Sequence, residues 1–167
     1  IIMSGMSVTK ARQVKIDFTT PWMSGGVGAL MRRADQQRFP TVESVLAFRG
    51  SVGVLAGTTA HDFARKNLPE ARVVKIASPA DASLQLERRT VDLFLHDIPS
   101  VARQAASNEA ELAVLMALLD REDIAWGIRR NNTALRDEVN AVLAQWKADG
   151  TIEKVIQAWI PYYDRIR

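Results

Sequence analysis

The chain has 167 residues, 47% hydrophobic and 25% charged, enough apolar content for one domain or two small ones and too much for a disordered segment. Short apolar runs argue against a transmembrane span, and 22 Lys+Arg against 19 Asp+Glu, a net charge of +3, is too small and scattered an excess for a nucleic-acid surface. The absence of cysteine removes disulfides, thiolate metal sites and a cysteine nucleophile. In chain order, residues 1–3 (Ile-Ile-Met) and 16–18 suggest short strands, Gly25-Gly26 a break, and residues 27–33 a further strand. Thr41 is a good N-cap for a helix over 42–48. Strands over 51–56, 72–76, 92–96 and 112–118 then alternate with helices over 58–68, 79–89 and 98–107. That rhythm predicts an open, mostly parallel α/β sheet with helices on both faces. After Asp120-Arg121-Glu122-Asp123 comes a strand-like stretch at 124–130 and two helices. Their stripes, Leu135, Val139, Val142, Leu143 and Trp146, then Ile152, Val155, Ile156 and Trp159, read as core. Asp149-Gly150 separates the two helices, and Pro161 follows the second.

The pairs Arg32-Arg33, Arg88-Arg89 and Arg129-Arg130 fall at element ends and read as solvated surface. No basic leader precedes residues 1–3 and no small-residue cleavage site follows them. A chain that opens on a strand-like run without an initiator Met reads as a piece of a longer protein.

Three places carry chemistry suited to a small ligand. The loop Ser4-Gly5-Met6-Ser7 leads to Thr9, which caps a brief turn presenting Arg12. Loop hydroxyls, free N–H groups and a guanidinium that pairs bidentately make a receptor for a carboxylate. Gly57-Thr58-Thr59 ends one strand and opens a helix, where unpaired N–H groups and the dipole favour an anion. Only three residues separate Gly53 from Gly57 and no Lys follows, so a nucleotide P-loop is excluded; Thr58 also reads as a plain N-cap. Asp97 ends a strand just before Pro99, where a carboxylate suits an ammonium group or caps the next helix. Trp22 either closes one side of a cleft or packs beneath it. His61 and His96 are the only histidines, and His96, a strand neighbour of Asp97, is expected to point to the opposite face and form no dyad. No metal site and no cofactor is expected.

The segment from Ser4 to Pro21, the run Arg49-Gly50-Ser51-Val52-Gly53-Val54-Leu55-Ala56-Gly57-Thr58-Thr59, the element Val91-Asp92-Leu93-Phe94-Leu95-His96-Asp97 and the tail from Leu135 to Trp159 occur in one order. Together they resemble the type II periplasmic solute-binding proteins that capture amino acids for ABC importers. The resemblance implies a two-lobed, hinged periplasmic-binding-protein fold of class α/β, with one lobe complete and the other partial. Residues 34–120 would form lobe 2, residues 1–28 and 125–167 a partial lobe 1, with hinge crossings near 25–33 and 120–126. The family's N-terminal segment is missing from this chain. Ser7, Arg12 and Thr59 would hold the ligand carboxylate and Asp97 its α-ammonium, with Ser4, Gly5, Gly57 and Thr58 lining the site. Asp92 would serve a turn.

The function so implied is non-catalytic capture of a small polar solute, an amino acid above all, delivered to ABC transporter membrane subunits. It would act in the periplasm, or lipid-anchored outside the membrane in a Gram-positive source, with no nucleic-acid partner. Two other readings share the fold. One is a cyclohexadienyl dehydratase-like enzyme, which residues 61–68 resemble, although no dedicated general acid is visible. The other is a sensing module of a receptor or lytic transglycosylase. Helix stripes in a partial lobe 1 would need further chain, or a homodimer, to cover them.

Overall fold

Side-chain alternation along three central strands builds the core, with one face of a sheet taking every second residue. The computed structural model describes residues 1–166. It begins with α1 (Lys10–Gln13), β1 (Asp17–Phe18) and β2 (Met23–Arg32). A 3-10 helix (Arg33–Arg38), α2 (Val42–Leu46), β3 (Ser51–Leu55) and α3 (Thr59–Asn67) follow. Next come β4 (Arg72–Ile76), α4 (Pro79–Glu87), β5 (Leu93–Asp97), α5 (Ile98–Ser107) and β6 (Leu112–Val114). Then β7 (Asp120–Ile124), β8 (Gly127–Ile128), α6 (Thr133–Ala148) and α7 (Thr151–Trp159) precede a 3-10 turn, Tyr163–Arg165. The chain divides into two compact units, Ile1–Gly26 with Arg121–Trp159, and Val27–Asp120 with the C-terminal residues from Ile160.

The main sheet has the strand order β4-β3-β5-β2-β6, and β7, which belongs to the smaller unit from Arg121 on, pairs with β2 off that path. β3 lies parallel to both β4 and β5, whereas β2 runs antiparallel to β5 and β6. Four of those five strands therefore share a direction, and the sheet is mixed because of β2. On one face Val27, Ala29, Met31, Val52, Val54, Leu93 and Leu95 join Ala60, Phe63 and Ala64 of α3 in a common core. The intervening residues face α4 and α5. A Cβ on Gly28 would lie 2.4 Å from Ile98 Cδ1 and 2.8 Å from Val101 Cγ2, so the missing side chain lets α5 lie close against β2.

Several expectations need correction. Gly25 and Gly26 do not break the chain; they lie inside β2, which starts at Met23. Ile1–Met3 form no strand, only a single bridge from Ile2 to Gly127. The acidic run from Asp120 is itself strand β7. Residues 160–166, placed by the sequence with lobe 1, belong to the larger unit, where Ile160 and Ile166 are buried and the Tyr162 hydroxyl donates to Glu109. Arg32 is not solvated surface. It is 7% exposed, and its Nε donates to Asp35 at 2.5 Å, Nη1 to the Leu86 and Val91 carbonyls at 2.8 and 2.9 Å, and Nη2 to Asp92 at 3.1 Å. Asp92 also accepts from the Ser51 N–H at 3.0 Å. One guanidinium thus joins the end of β2, the end of α4 and the starts of β3 and β5.

The smaller unit has less sheet to bury its helices. Beside β7 it has the antiparallel pair β1–β8, two residues a strand, and such short pairs are marginal in water. Leu143 and Ile156 are buried, but Val142, Trp146, Val155 and Trp159 are 40%, 37%, 50% and 65% exposed, so the two helix stripes are only partly core. Ile1, Ile2, Met3 and Val14 are exposed as well. Trp22, Trp126 and Trp146 pack in series, each neighbouring pair of rings 6.5 Å apart between centroids.

Two outcomes follow from these features. Arg32→Met keeps the stem but strips the donor from two carboxylates and two carbonyls, and should lower stability by about 3–5 kcal/mol in urea titration. Burial works to raise the Asp35 carboxyl, but hydrogen bonds and charge from Arg38 and Arg32 outweigh it and hold it below its ordinary value of 3.8. The stability this adds is complete above the unfolded carboxyl's pKa and is lost as pH falls through the folded one. The wild-type urea midpoint should therefore fall more steeply below about pH 4 than that of Arg32→Met; parallel acid limbs would contradict this. Separately, these 167 residues prepared alone should bind a hydrophobic dye through the smaller unit. A cooperative melt without dye binding would contradict that.

Candidate functional site

Parallel pairing of β3 with β5, in register at Val54 and Leu95, brings the carboxyl ends of both strands to one edge of the sheet. Ligands of α/β sheets bind at such an edge. β3 leaves through Gly57, whose φ of 76° is left-handed and favours glycine. Thr58 then caps α3: its hydroxyl accepts from the His61 N–H at 3.2 Å and donates to the Leu55 carbonyl at 2.8 Å. The one proton of that hydroxyl is spent within the turn, so Thr58 acts as a cap. Thr59, the first residue of α3, is half-buried. Its N–H and that of Ala60 precede the helix's own hydrogen-bond ladder.

β5 hands its chain to α5 through Asp97, the N-cap, whose Oδ1 accepts from the Ser100 N–H at 2.9 Å. Its Oδ2 lies 2.5 Å from Nδ1 of His96. Strand alternation predicted otherwise. Asp97 is the turning point into the helix, with φ −59° and ψ 148°, and there the carboxylate swings back over its neighbour. The Asp97 backbone N–H also points at Nδ1 from 2.8 Å, and the ring nitrogen can serve only one of the two contacts. The shorter contact is the one that needs a proton, because a bare ring nitrogen so close to a carboxylate oxygen would set two lone pairs against each other. His96 is therefore a donor to Asp97. Burial works to raise the Asp97 carboxyl, but the His96 hydrogen bond and charge and the Ser100 N–H outweigh it, and the group stays below the ordinary carboxylate range.

In the smaller unit the loop ahead of α1 lies along β7. Val8 donates to the Asp123 carbonyl at 2.8 Å, Ala125 donates to that of Met6 at 3.1 Å, and Ser7 forms an antiparallel bridge with Ile124. Ser7 is 5% exposed, and its hydroxyl donates to Glu122 at 2.5 Å, a partner the sequence did not suggest. Thr9 caps α1 as expected, accepting from the Arg12 N–H at 3.2 Å. Arg12 reaches back so that Nη1 donates to the Ser7 carbonyl at 2.8 Å. Ser7 and Arg12 are thus brought together, whereas Ser4 and Gly5 lie exposed at the open end of the loop. Trp22 packs against Trp126, and its indole N–H is buried without an acceptor among the described residues.

Elsewhere in the larger unit an open groove of about 470 Å³ runs between α4 and α5, past Pro79, Ser83, Arg103 and Gln104. None of the residues singled out from the sequence lines it. Among the described residues no three His, Cys, Asp or Glu side chains converge as a metal site would require, and no helix is long and apolar enough to cross a membrane.

Comparison with known proteins gives the larger frame. ABC transporter arginine-binding protein 1 of Escherichia coli (strain K12) is 25% identical over 164 residues, covering 96% of this chain and 65% of that protein. The histidine-binding periplasmic protein of Escherichia coli (strain K12) is 27% identical over 171 residues, covering 96% of this chain and 64% of that protein. The crystal structure of an ancestral amino acid-binding protein, a precursor of cyclohexadienyl dehydratase, superposes with a TM-score of 0.81 at 30% identity, covering 95% of this chain and 67% of that one. This chain thus spans about two thirds of the length of the relatives it matches. The family profile described as bacterial extracellular solute-binding proteins, family 3, matches residues 1–162. The chain belongs to the bacterial extracellular solute-binding proteins, family 3.

Proposed function

We propose that this chain is part of an extracytoplasmic protein that captures an amino acid and delivers it to an ABC importer. The observation that carries the reading is the shared sheet edge of the larger unit. There an ionised Asp97 and the opening N–H groups of α3 stand at the ends of two adjacent parallel strands. One suits an ammonium and the other a carboxylate, and an amino acid presents both. In the smaller unit Arg12, with Ser7 held beside it, is a candidate of its own for a carboxylate. Of the two threonines, Thr59 suits the ligand better because the Thr58 hydroxyl is committed to its cap. Gly57 would contribute the turn, and Ser4 and Gly5 the loop that carries Ser7. The relatives' names, arginine-, cystine-, glutamine- and histidine-binding, support this class of ligand.

The role is binding without turnover. Release of phenylpyruvate from prephenate by the purified full-length protein would overturn that part of the reading.

Calorimetry on the full-length protein with arginine, lysine, histidine, glutamine and cystine tests the rest. Arg12→Ala should weaken the best binder by about 2–5 kcal/mol, the cost of truncating one partner of a charged hydrogen-bonded pair, without unfolding the protein. Unchanged affinity would remove Arg12 from the site. Thr58→Ala should cost about 1 kcal/mol of stability through its lost cap, whereas Thr59→Ala should leave stability alone and weaken binding. The reverse pattern would assign the ligand to Thr58. Asp97→Asn should penalise an amino acid more than its amine-free counterpart, by the roughly 1.5–3 kcal/mol of a charged hydrogen bond. Equal losses would leave Asp97 a helix cap only.

A further inference from the structure

We propose that His96 is a positioning residue for ammonium recognition, holding the Asp97 carboxylate in the one orientation that leaves its free lone pairs to a ligand. The inference rests on the reading of Asp97 given above and concerns a residue that makes no ligand contact of its own in this account.

Three features carry it. First, two residues hold the carboxylate from different sides: Ser100, through its N–H on Oδ1 at 2.9 Å and its hydroxyl, and His96, through Nδ1 on Oδ2 at 2.5 Å. An ionised carboxylate offers about four acceptor sites, so capacity for a ligand remains after these contacts are made. Second, the imidazole is itself fixed. Its ring stacks on Phe94, with centroids 5.6 Å apart and planes inclined by 24°, and its side chain is only 13% exposed. A rigid ring transmits that rigidity to the group it holds. Third, the cap does not need it. Ser100 N–H already satisfies the N-cap requirement of α5 through Oδ1, so the histidine contact adds nothing the helix requires.

A carboxylate held from one residue alone keeps more freedom about its Cβ–Cγ bond, and an ordered one binds an ammonium without paying that rotational freedom again. The donors also favour the ionised form, the form that an ammonium recognises.

The test uses the full-length protein and three variants. His96→Phe keeps the stack on Phe94 but has no donor, and His96→Leu removes the donor by a second route in case the first packs poorly. His96→Asn places an amide N–H near the position of Nδ1. The probes are L-arginine and its amine-free counterpart δ-guanidinovalerate, or L-glutamine and glutaramate if glutamine binds more tightly. Affinity of the two donor-less variants for the amino acid should fall about tenfold, the scale of a lost hydrogen bond to a charged group. Affinity for the amine-free acid should hardly change, and His96→Asn should recover most of the loss.

Full affinity in His96→Phe and His96→Leu would overturn the proposal while leaving amino-acid capture intact. Equal losses on both probes would also overturn it, because that is what general damage to the sheet edge produces. If the wild-type protein binds no amino acid, the functional reading fails and this inference falls with it.

Discussion

Two neighbouring parallel strands must hand their chain onward at the same edge of the sheet, and the larger unit is arranged around that constraint. β3 leaves through Gly57 and the Thr58 cap, and β5 through Asp97. Each exit is the start of a helix, so unpaired N–H groups and a cap side chain collect on one edge. The opposite edge is treated differently. There Arg32, Asp35 and Asp92 tie the starts of β3 and β5 to the end of β2 through charged hydrogen bonds. One edge is closed by internal pairing, and the other keeps polar capacity for something outside the chain.

That division explains what the sequence disclosed and what it withheld. The alternation of apolar strands and capped helices from Ser51 to Ser107 is local, set by period and cap residues, and it was legible almost to the residue. Thr41 and the Gly57-Thr58 turn announced their elements. Arg32 was misread because nothing in a pair of adjacent arginines says that one side chain will meet Asp92, sixty residues on, across a β-sheet. Gly25 and Gly26 looked like a break because glycine is a breaker in isolation, yet strand pairing overrides that preference. His96 was misjudged by applying the period of a strand one residue too far. The rule ends where Asp97 becomes a cap. The partnership of Ser7 with Glu122 spans most of the chain and has no local signal.

The smaller unit shows the same physics under a shortage of sheet. α6 and α7 each bury one large aliphatic residue, Leu143 and Ile156, and leave much of their stripes in contact with water. A periodic stripe records which face of a helix is apolar, but not whether anything lies opposite. The Trp22–Trp126–Trp146 series supplies part of the missing packing, at the cost of an indole N–H without an acceptor among the described residues. Within that unit the loop from Ser4 to Thr9 is well defined, because it borrows hydrogen bonds from β7 rather than relying on a core.

A crystal structure of the full-length protein grown with its tightest-binding amino acid would test the central claim most directly. The account predicts the ligand carboxylate within hydrogen-bond distance of the Thr59 N–H, about 2.8–3.0 Å, and the α-ammonium on Asp97 with His96 Nδ1 still on Oδ2. An amino acid seated elsewhere, such as the groove between α4 and α5, with Asp97 bonded only to Ser100 and His96, would contradict it.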